Sequence, residues 1–367
     1  MVEQNKRWYY LDSMRAVLMM LGVVLHSSQV FNPSKSWGIY SEKSTELAYY
    51  LVHFIHLFRM PAFFVISGFF CAFTLKKYGV DYFVKVRFHR ILIPLIATAV
   101  ILNIPQSLIL QSSGWRNITI NTYITEGKWL SHLWFLINIL AYFIIAVIAT
   151  KLFKGLISRA KSLIAKVLKY IPIALLLIVL PLSAFVILSL NKIGIPLYSK
   201  ILGFTSLFSI LSYFPYFVFG MILSFQKEFL EKFASYPPAL LMLYSLVVIA
   251  LNNYFPDSSA GYMKYVGIYI RELSVWVSIL VCFNLFFRFF NSHSKLWLFL
   301  SDASYTVYLF HHIIVIALGL LFIKMNIAGW LALPILISVT LFLTLGIHKY
   351  LILKSTTLRL LFNGRLQ

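Results

Sequence analysis

Residues 11–30 read LDSMRAVLMMLGVVLHSSQV, a run long enough to cross the hydrocarbon core of a bilayer as one helix. The run carries Asp12, Arg15 and His26, and ionisable side chains are costly in a membrane interior. Arg15 and His26 are separated by close to three helical turns, roughly 16 Å along the axis, so their side chains share a face with Gly22. This spacing predicts a membrane helix whose polar face lines a narrow passage.

The whole chain is apolar: 60% of its 367 residues are hydrophobic and 12% are charged, which is outside the range of soluble domains. We predict an all-α, polytopic membrane protein with about ten transmembrane helices. The predicted spans are Leu11–Val30, Ala48–Leu75, Ile91–Leu110, His132–Leu152, Tyr170–Leu190, Gly203–Phe225, Pro238–Phe255, Tyr265–Phe287, Leu296–Ile323 and Ala328–Leu353. The seventh is short and ends in asparagines, so a segment lying in the interface is an alternative there.

Lysine and arginine residues concentrate in alternate loops, which predicts the sidedness of the protein. Both termini are predicted to be cytoplasmic, with short tails at residues 1–10 and 354–367 of a single domain, residues 1–367. The net charge of +21 is spread over short loops rather than gathered on one face, so we predict no nucleic-acid binding. Topology and anionic lipid headgroups account for most of this charge.

The second predicted span and the loop after it add further polar residues. His56 and Arg59 precede Pro61, and Arg59 lies near the middle of the span. A proline kink with helix packing is the alternative to a functional cavity. At the inner end, Arg87 and Arg90 place two guanidinium groups three residues apart, which suits bidentate phosphate binding. The bias of basic residues towards the cytoplasm explains this pair equally well.

Ionisable residues recur in the eighth and ninth predicted spans. Arg271 and Glu272 are adjacent, and their simplest interpretation is an ion pair near the outer surface. The ninth span is predicted to open with a helix cap at residues 301–305. His311 and His312 point about 100° apart on a helix and have no acidic or cysteine partner at zinc-like spacing. We therefore predict no metal site.

Several short motifs lie at the ends and polar faces of these spans. They are YLDSMRA (10–16), FRM (58–60), FVISG (64–68), RFHR (87–90), HLWFL (132–136) and SYTVYLFHH (304–312). Together, and with the Arg15 and His26 pair, they resemble the acyltransferase-3 family of bacterial membrane proteins over most of the chain. Many members have glycine after the arginine that corresponds to Arg15. The alanine in this chain fits the branch of the family that modifies periplasmic glucans.

The resemblance implies a ten-helix fold in the bacterial inner (cytoplasmic) membrane. It implies transfer of an acyl group from a cytoplasmic coenzyme A thioester to a carbohydrate hydroxyl at the periplasmic face. For the glucan branch, the donor is expected to be succinyl-CoA and the acceptor a periplasmic glucan. Acyl-CoA, the glycan acceptor and membrane lipids are the expected partners, with a homodimer possible and no permanently bound cofactor.

A mechanistic hypothesis assigns roles to these residues. His26 is the expected general base on the acceptor hydroxyl. Arg15, oriented by Asp12, is expected to position the donor, with Arg87 and Arg90 at the cytoplasmic mouth. Arg59 or Arg271 could pair with a succinyl carboxylate. The other candidate substrate-binding residues are His56, His132, His311 and His312.

Two other functional classes compete with an acyltransferase. Buried histidines and arginines also serve proton relays and anion pathways, so a transporter or flippase of an anionic or glycan solute is the alternative. The sequence has no detectable inverted repeat and no paired broken helices, which many transporters contain. A noncatalytic scaffold leaves the aligned Arg15 and His26 unexplained.

Overall fold

The computed structural model describes residues 7–116, 119–201, 205–255 and 261–365, and these are almost entirely helical. The helices are α1 (Tyr9–Val30), α2 (Glu46–Ile101), α3 (Asn103–Ser112), α4 (Ile120–Thr125), α5 (Trp134–Leu152), α6 (Lys154–Tyr170), α7 (Ile173–Val179), α8 (Ser183–Lys192), α9 (Leu207–Phe225), α10 (Lys227–Ala234), α11 (Pro238–Tyr254), α12 (Tyr262–Phe289), α13 (Lys295–Lys324), α14 (Gly329–Ile347) and α15 (Thr356–Asn363). Short 3₁₀ turns occupy Lys128–Leu133 and Leu180–Leu182, and a π turn occupies His348–Ile352. The strands β1 (Lys200–Ile201) and β2 (Thr205–Ser206) pair antiparallel. The predicted all-α membrane fold is confirmed.

The long helix α2 reverses direction at Gly79. This glycine has φ 79° and ψ 176°, a conformation that side-chain-bearing residues rarely adopt. A straight helix would separate Thr74 and Arg87 by about 20 Å. Instead, the Arg87 guanidinium donates a hydrogen bond to Thr74 Oγ1 at 3.0 Å. The two halves of α2 are therefore two membrane crossings joined by a tight turn, as the separate second and third predicted spans require.

Eight segments of the described chain are long and apolar enough to cross a membrane. The longest, Glu46–Ser112, contains the two crossings on either side of Gly79. Helices α10 and α11 meet at 70° and form a further candidate at the predicted seventh span. If Glu46–Ser112 counts as two crossings and the α10–α11 pair as one, the described segments give ten crossings, the number predicted. The predicted start of the sixth span, Gly203, lies outside the described residues, and α9 begins at Leu207.

Both ends of the described chain lie on one face of the molecule. Arg15, near the start of α1, donates to Ser301 Oγ of α13 at 2.6 Å. Arg365, just after α15, donates to Asp302 at 2.9 Å. We call this side the inner face, because the predicted topology places it in the cytoplasm. The segment predicted as a C-terminal tail is therefore largely a helix, α15, that packs against α2 and α13.

Glycine contacts hold α2 against α9. A Cβ on Gly68 would lie 1.9 Å from the carbonyl oxygen of Phe217, and a Cβ on Gly220 would lie 1.9 Å from that of Val65. Since neither backbone could move aside cheaply, only glycine fits at these two positions. The close approach predicted from Ser67 and Gly68 is present. It fixes the second crossing, which carries Arg59, beside the centre of the bundle.

Helix α1 lies at the centre of this bundle and packs against α2, α12, α13 and α14. Its polar face therefore turns towards other helices rather than towards lipid. Helix α13 begins at Lys295, where Ser294 Oγ accepts a hydrogen bond from the Trp297 amide. The predicted cap at residues 301–305 is wrong, because those residues lie inside α13. Ser301 instead accepts a hydrogen bond from Arg15 of α1, and Asp302 accepts one from Arg365.

Candidate active site

Two cavities open along the polar face of α1. The inner cavity has a volume of about 180 Å³ and lies at the inner face. Its basic residues are Arg15, Arg87, Arg90 and Arg365. Its deeper walls are apolar and include Met19, Phe63, Ile66, Phe70, Phe135, Leu136, Ile139 and Phe143. The inner cavity thus combines a cationic mouth with a hydrophobic interior.

Hydrogen bonds and ion pairs hold Arg15 at the inner cavity. Its guanidinium donates to Ser301 Oγ and lies 3.6 Å from the carboxylate of Asp12. Asp12 also accepts a hydrogen bond from Arg7 at 2.8 Å. The predicted ion pair between Asp12 and Arg15 is present, and it leaves other Arg15 donors facing the cavity.

The C-terminal segment contributes a cation that the sequence analysis missed. Gly364 ends α15 with φ 60°, and a Cβ there would lie 2.5 Å from both the Arg90 Cα and the His89 carbonyl oxygen. This contact brings Arg365 to the inner cavity, where it pairs with Asp302. Asp302 also lies 3.4 Å from Nε2 of His348. No local pattern near the end of the chain indicates this placement.

The outer cavity is larger, about 400 Å³, and more polar. Its lining includes His26, Gln29, Trp37, His56, Gln106, Arg116, Lys128, Ser131, His132, Trp134 and His312. Ser131 has φ 47°, a strained conformation for a residue with a side chain. His132, predicted to start a membrane helix, lies in the 3₁₀ turn before α5. This turn directs His132 towards α13.

Four histidines from three elements meet at the inner end of the outer cavity. The ring centres of His26 and His312 are 5.0 Å apart, and those of His26 and His311 are 5.2 Å apart. The His132 ring stacks on His312 at 4.6 Å and lies 5.4 Å from His311. We call these four residues the histidine cluster. Each had been predicted as a site residue, and the structure brings them together.

Two glutamines orient histidines of this cluster, and both were missed in the sequence. His26 Nδ1 donates to Gln29 Oε1 at 2.7 Å, which leaves Nε2 as the basic nitrogen. His312 Nδ1 donates to Gln106 Oε1 at 2.7 Å. Gln106 in turn donates to Ser131 at 3.1 Å. Gln29 follows His26 by three positions, so helical spacing could have indicated that pair; nothing local indicates Gln106.

Arg59 lies between the two cavities. A Cβ on Gly22 would be 2.5 Å from Arg59 Nη1 and 3.7 Å from His311 Nε2. Because Met19 lines the inner cavity and His26 lines the outer one, the guanidinium occupies the level between them. Within the described residues, no carboxylate lies within 4 Å of Arg59, and its buried Nε has no hydrogen-bond partner.

The remaining predicted residues are divided between sites. His56 is exposed but lines the outer cavity. Arg271 lies 3.7 Å from Glu272, as the predicted ion pair requires, and faces a separate cavity of about 290 Å³ with Lys264 and Ser212. The structure therefore separates Arg271 from the histidine cluster. In the described ranges, no three His, Cys, Asp or Glu side chains are placed to hold a metal ion together.

Comparison with known proteins identifies the family. A model of the acyltransferase-3 family, described as an acyltransferase domain, matches residues 8–349. The chain belongs to this family. Similar proteins include those named Glucans biosynthesis protein C from Salmonella typhi, Salmonella typhimurium and Salmonella paratyphi B, each 27% identical over 98% of this chain and 95% of the relative. No solved structure matches the chain.

Family and fold together define a multi-pass membrane acyltransferase. Arg15 and His26 both lie within the matched region, as does every other predicted site residue. Arg365 lies beyond residue 349, where the match ends. The assignment of residues 1–367 to a single domain stays a prediction.

Proposed function

We propose that this protein is an O-acyltransferase of the bacterial inner membrane. It takes an acyl group, succinyl, from acyl-CoA in the cytoplasm and transfers it to hydroxyls of a periplasmic glucan. The observation that carries this proposal is the pair of cavities, one cationic and one rich in histidine, that lie on either side of the level of Arg59. Such an arrangement suits two substrates that never share a compartment.

The inner cavity suits a coenzyme A thioester. Guanidinium groups bind phosphate with paired, charge-assisted hydrogen bonds, and Arg15, Arg87, Arg90 and Arg365 supply four of them. The apolar walls beyond them suit the pantetheine arm. In this proposal the nucleotide stays at the inner face, and the thioester carbonyl reaches the level of Arg59.

The chemical step uses His26. Its Nε2 removes the proton from an acceptor hydroxyl, and the hydroxyl oxygen attacks the thioester carbonyl. The carbon–sulfur bond then breaks, the new ester carries the acyl group, and the leaving thiolate takes the proton from His26. Gln29 acts as a positioning residue because its hydrogen bond to Nδ1 holds the tautomer in which Nε2 is basic.

Arg59 is proposed to bind the carboxylate of the succinyl group. A largely buried cation with no carboxylate partner among the described residues is costly, and an anionic substrate group would compensate that cost. Because Arg59 lies between the two cavities, the acyl group passes it on the way from the donor to the acceptor. An uncharged acyl group would leave the guanidinium unpaired, so this site favours a dicarboxylic acyl group.

The outer cavity suits a sugar acceptor. Trp37 and Trp134 provide aromatic faces on which sugar rings stack, and polar side chains surround them. The relatives' name, Glucans biosynthesis protein C, supports a glucan as the acceptor. The assay covers other surface polysaccharides as well as periplasmic glucans.

Mass spectrometry of periplasmic glucans and surface polysaccharides tests the proposal. Cells with the intact gene, a deletion, His26→Ala and His53→Ala are compared at matched membrane expression. His53 is exposed and bonds to the Tyr49 carbonyl, so its substitution is a matched control. We expect a succinyl mass increment with the intact gene and His53→Ala, and none in the other two strains. Unchanged acylation of every glycan in the deletion strain would contradict the proposal and favour a transporter.

A further inference from the structure

A third cavity lies on the membrane side of the bundle, away from both substrate cavities. Its volume is about 510 Å³, and it lies among α2, α5, α6 and α9. Its walls are apolar, and small residues create much of the space: Ala72, Ala146 and Ala149. Neither α1 nor α13, which carry the site residues, contributes to its lining. The mechanism proposed above makes no use of it.

Lysines surround the inner end of this cavity. Lys76 extends from the end of the second crossing, and Lys154 and Lys161 extend from α6. The Lys161 ammonium lies 3.9 Å from the ring centre of Phe225, at the end of α9. Thr150 and Ser158 also line the cavity, and the Thr150 hydroxyl donates to the Ala146 carbonyl at 2.7 Å. Positive charge therefore gathers where the cavity reaches the inner face.

These ammonium groups have no acidic partner in the described part of the chain. Within the described residues, no carboxylate lies within 4 Å of Lys76, Lys154 or Lys161. Partial burial and the neighbouring Lys76 charge lower the pKa of Lys161. Like charges held together in this way repel each other, and a bound anion would relieve that repulsion.

Helix α6 has the composition of a helix that lies at the depth of lipid headgroups, which places Lys154 and Lys161 there. It contains Lys154, Arg159, Lys161, Lys166 and Lys169 and no acidic residue. Leu156, Leu163 and Val167 are exposed apolar residues of the same helix. A basic helix with exposed apolar side chains lies in the membrane surface, with its charges at the headgroups and its apolar side chains among the acyl chains.

We propose that this cavity binds one anionic glycerophospholipid of the inner leaflet. The phosphate lies between Lys76 and Lys161, and an acyl chain enters the apolar space between α5 and α9. A free phosphate would satisfy the lysines but leave that apolar space unfilled, so the geometry favours a lipid. The site is independent of the acyltransferase reaction proposed above.

Native mass spectrometry of the purified protein tests the lipid site. The protein is titrated separately with phosphatidylglycerol, phosphatidylcholine and inorganic phosphate. The double variant Lys76→Gln/Lys161→Gln removes the two charges at the cavity. The matched control Lys166→Gln/Lys169→Gln also removes two charges. Both lie on α6, the helix that carries Lys161, but outside the cavity lining. We expect tight binding of one phosphatidylglycerol, reduced about tenfold or more in the first variant and unchanged in the control.

A second variant separates the acyl-chain space from the charges. Ala149→Leu narrows the cavity while all the lysines remain, and we expect it to reduce phosphatidylglycerol binding as well. Thermal unfolding of each variant checks that the bundle is intact. The proposal fails if the two double variants lose phosphatidylglycerol equally, or if the native protein binds phosphatidylcholine as tightly. It also fails if inorganic phosphate displaces the lipid or if Ala149→Leu binds it normally.

Discussion

The inner and outer cavities share helix α1 but differ in nearly every physical property. The inner one is small, has guanidinium groups at its mouth and is apolar inside. The outer one is more than twice as large and is lined mainly by imidazole, indole and amide groups, together with Arg116 and Lys128. Arg15 serves the first and His26 the second. For the proposed reaction, this difference suits an anionic, extended donor held by charge in the inner cavity and a polar sugar acceptor beside the base in the outer one.

The largest expected effect is that of removing the base from the outer cavity. His26→Ala should lower kcat by about 10²- to 10⁴-fold, the usual contribution of a positioned general base. The KM for acyl-CoA should stay unchanged, because the inner cavity is intact. Steady-state kinetics of the purified protein check this, with His53→Ala as the control. A rise in KM for acyl-CoA with normal kcat would mean that His26 belongs to the donor site.

Arg59→Gln tests whether the guanidinium between the two cavities binds the acyl group. With succinyl-CoA, kcat/KM should fall about hundredfold, because truncating one partner of a buried ion pair leaves the other charge unpaired. With acetyl-CoA, which has no carboxylate to bind, the fall should be far smaller. Competition assays with both donors measure the ratio. An equal fall in kcat/KM with the two donors would show that Arg59 does not distinguish one acyl group from another.

Gly22→Ala makes a smaller change at the same place. The added Cβ forces the Arg59 guanidinium to shift, and we expect transfer to fall about tenfold because catalytic geometry tolerates little displacement. Gly346→Ala is the control, since a Cβ there meets nothing within 4 Å. Thermal unfolding of both variants distinguishes a local shift from a destabilised bundle. Normal transfer by Gly22→Ala would place Arg59 outside the reaction path.

The smallest effect is expected at the mouth of the inner cavity. Arg365→Gln should raise the KM for acyl-CoA about threefold to tenfold and leave kcat unchanged, because Arg365 is partly exposed and shares the phosphates with three other arginines. A short succinyl thioester without phosphates should be transferred equally by variant and native protein. Lys354→Gln removes an exposed charge that does not line the inner cavity, and it is the control. A loss of kcat with the short thioester would indicate a structural role instead.

The helices and the polar face of α1 could be predicted because both depend on local sequence. Runs of apolar residues give the crossings, and helical spacing alone puts Arg15, Gly22 and His26 on one face. The histidine cluster depends on how α1, α13 and the turn before α5 pack together. Each histidine could therefore be predicted as a site residue, but their arrangement in one cluster could not. Arg365 was missed because its placement depends on the contact between Gly364 and Arg90. The false helix cap at residues 301–305 arose because cap residues and cavity-lining residues are chemically alike.

The division of the two substrates between the two faces can be measured directly in right-side-out membrane vesicles. Succinyl-CoA is either enclosed or added outside, glucan is always outside, and succinylation of the glucan is followed by mass spectrometry. We expect transfer when the donor is enclosed and none when it is outside. Equal transfer from donor added outside would contradict the assignment of the inner cavity to acyl-CoA.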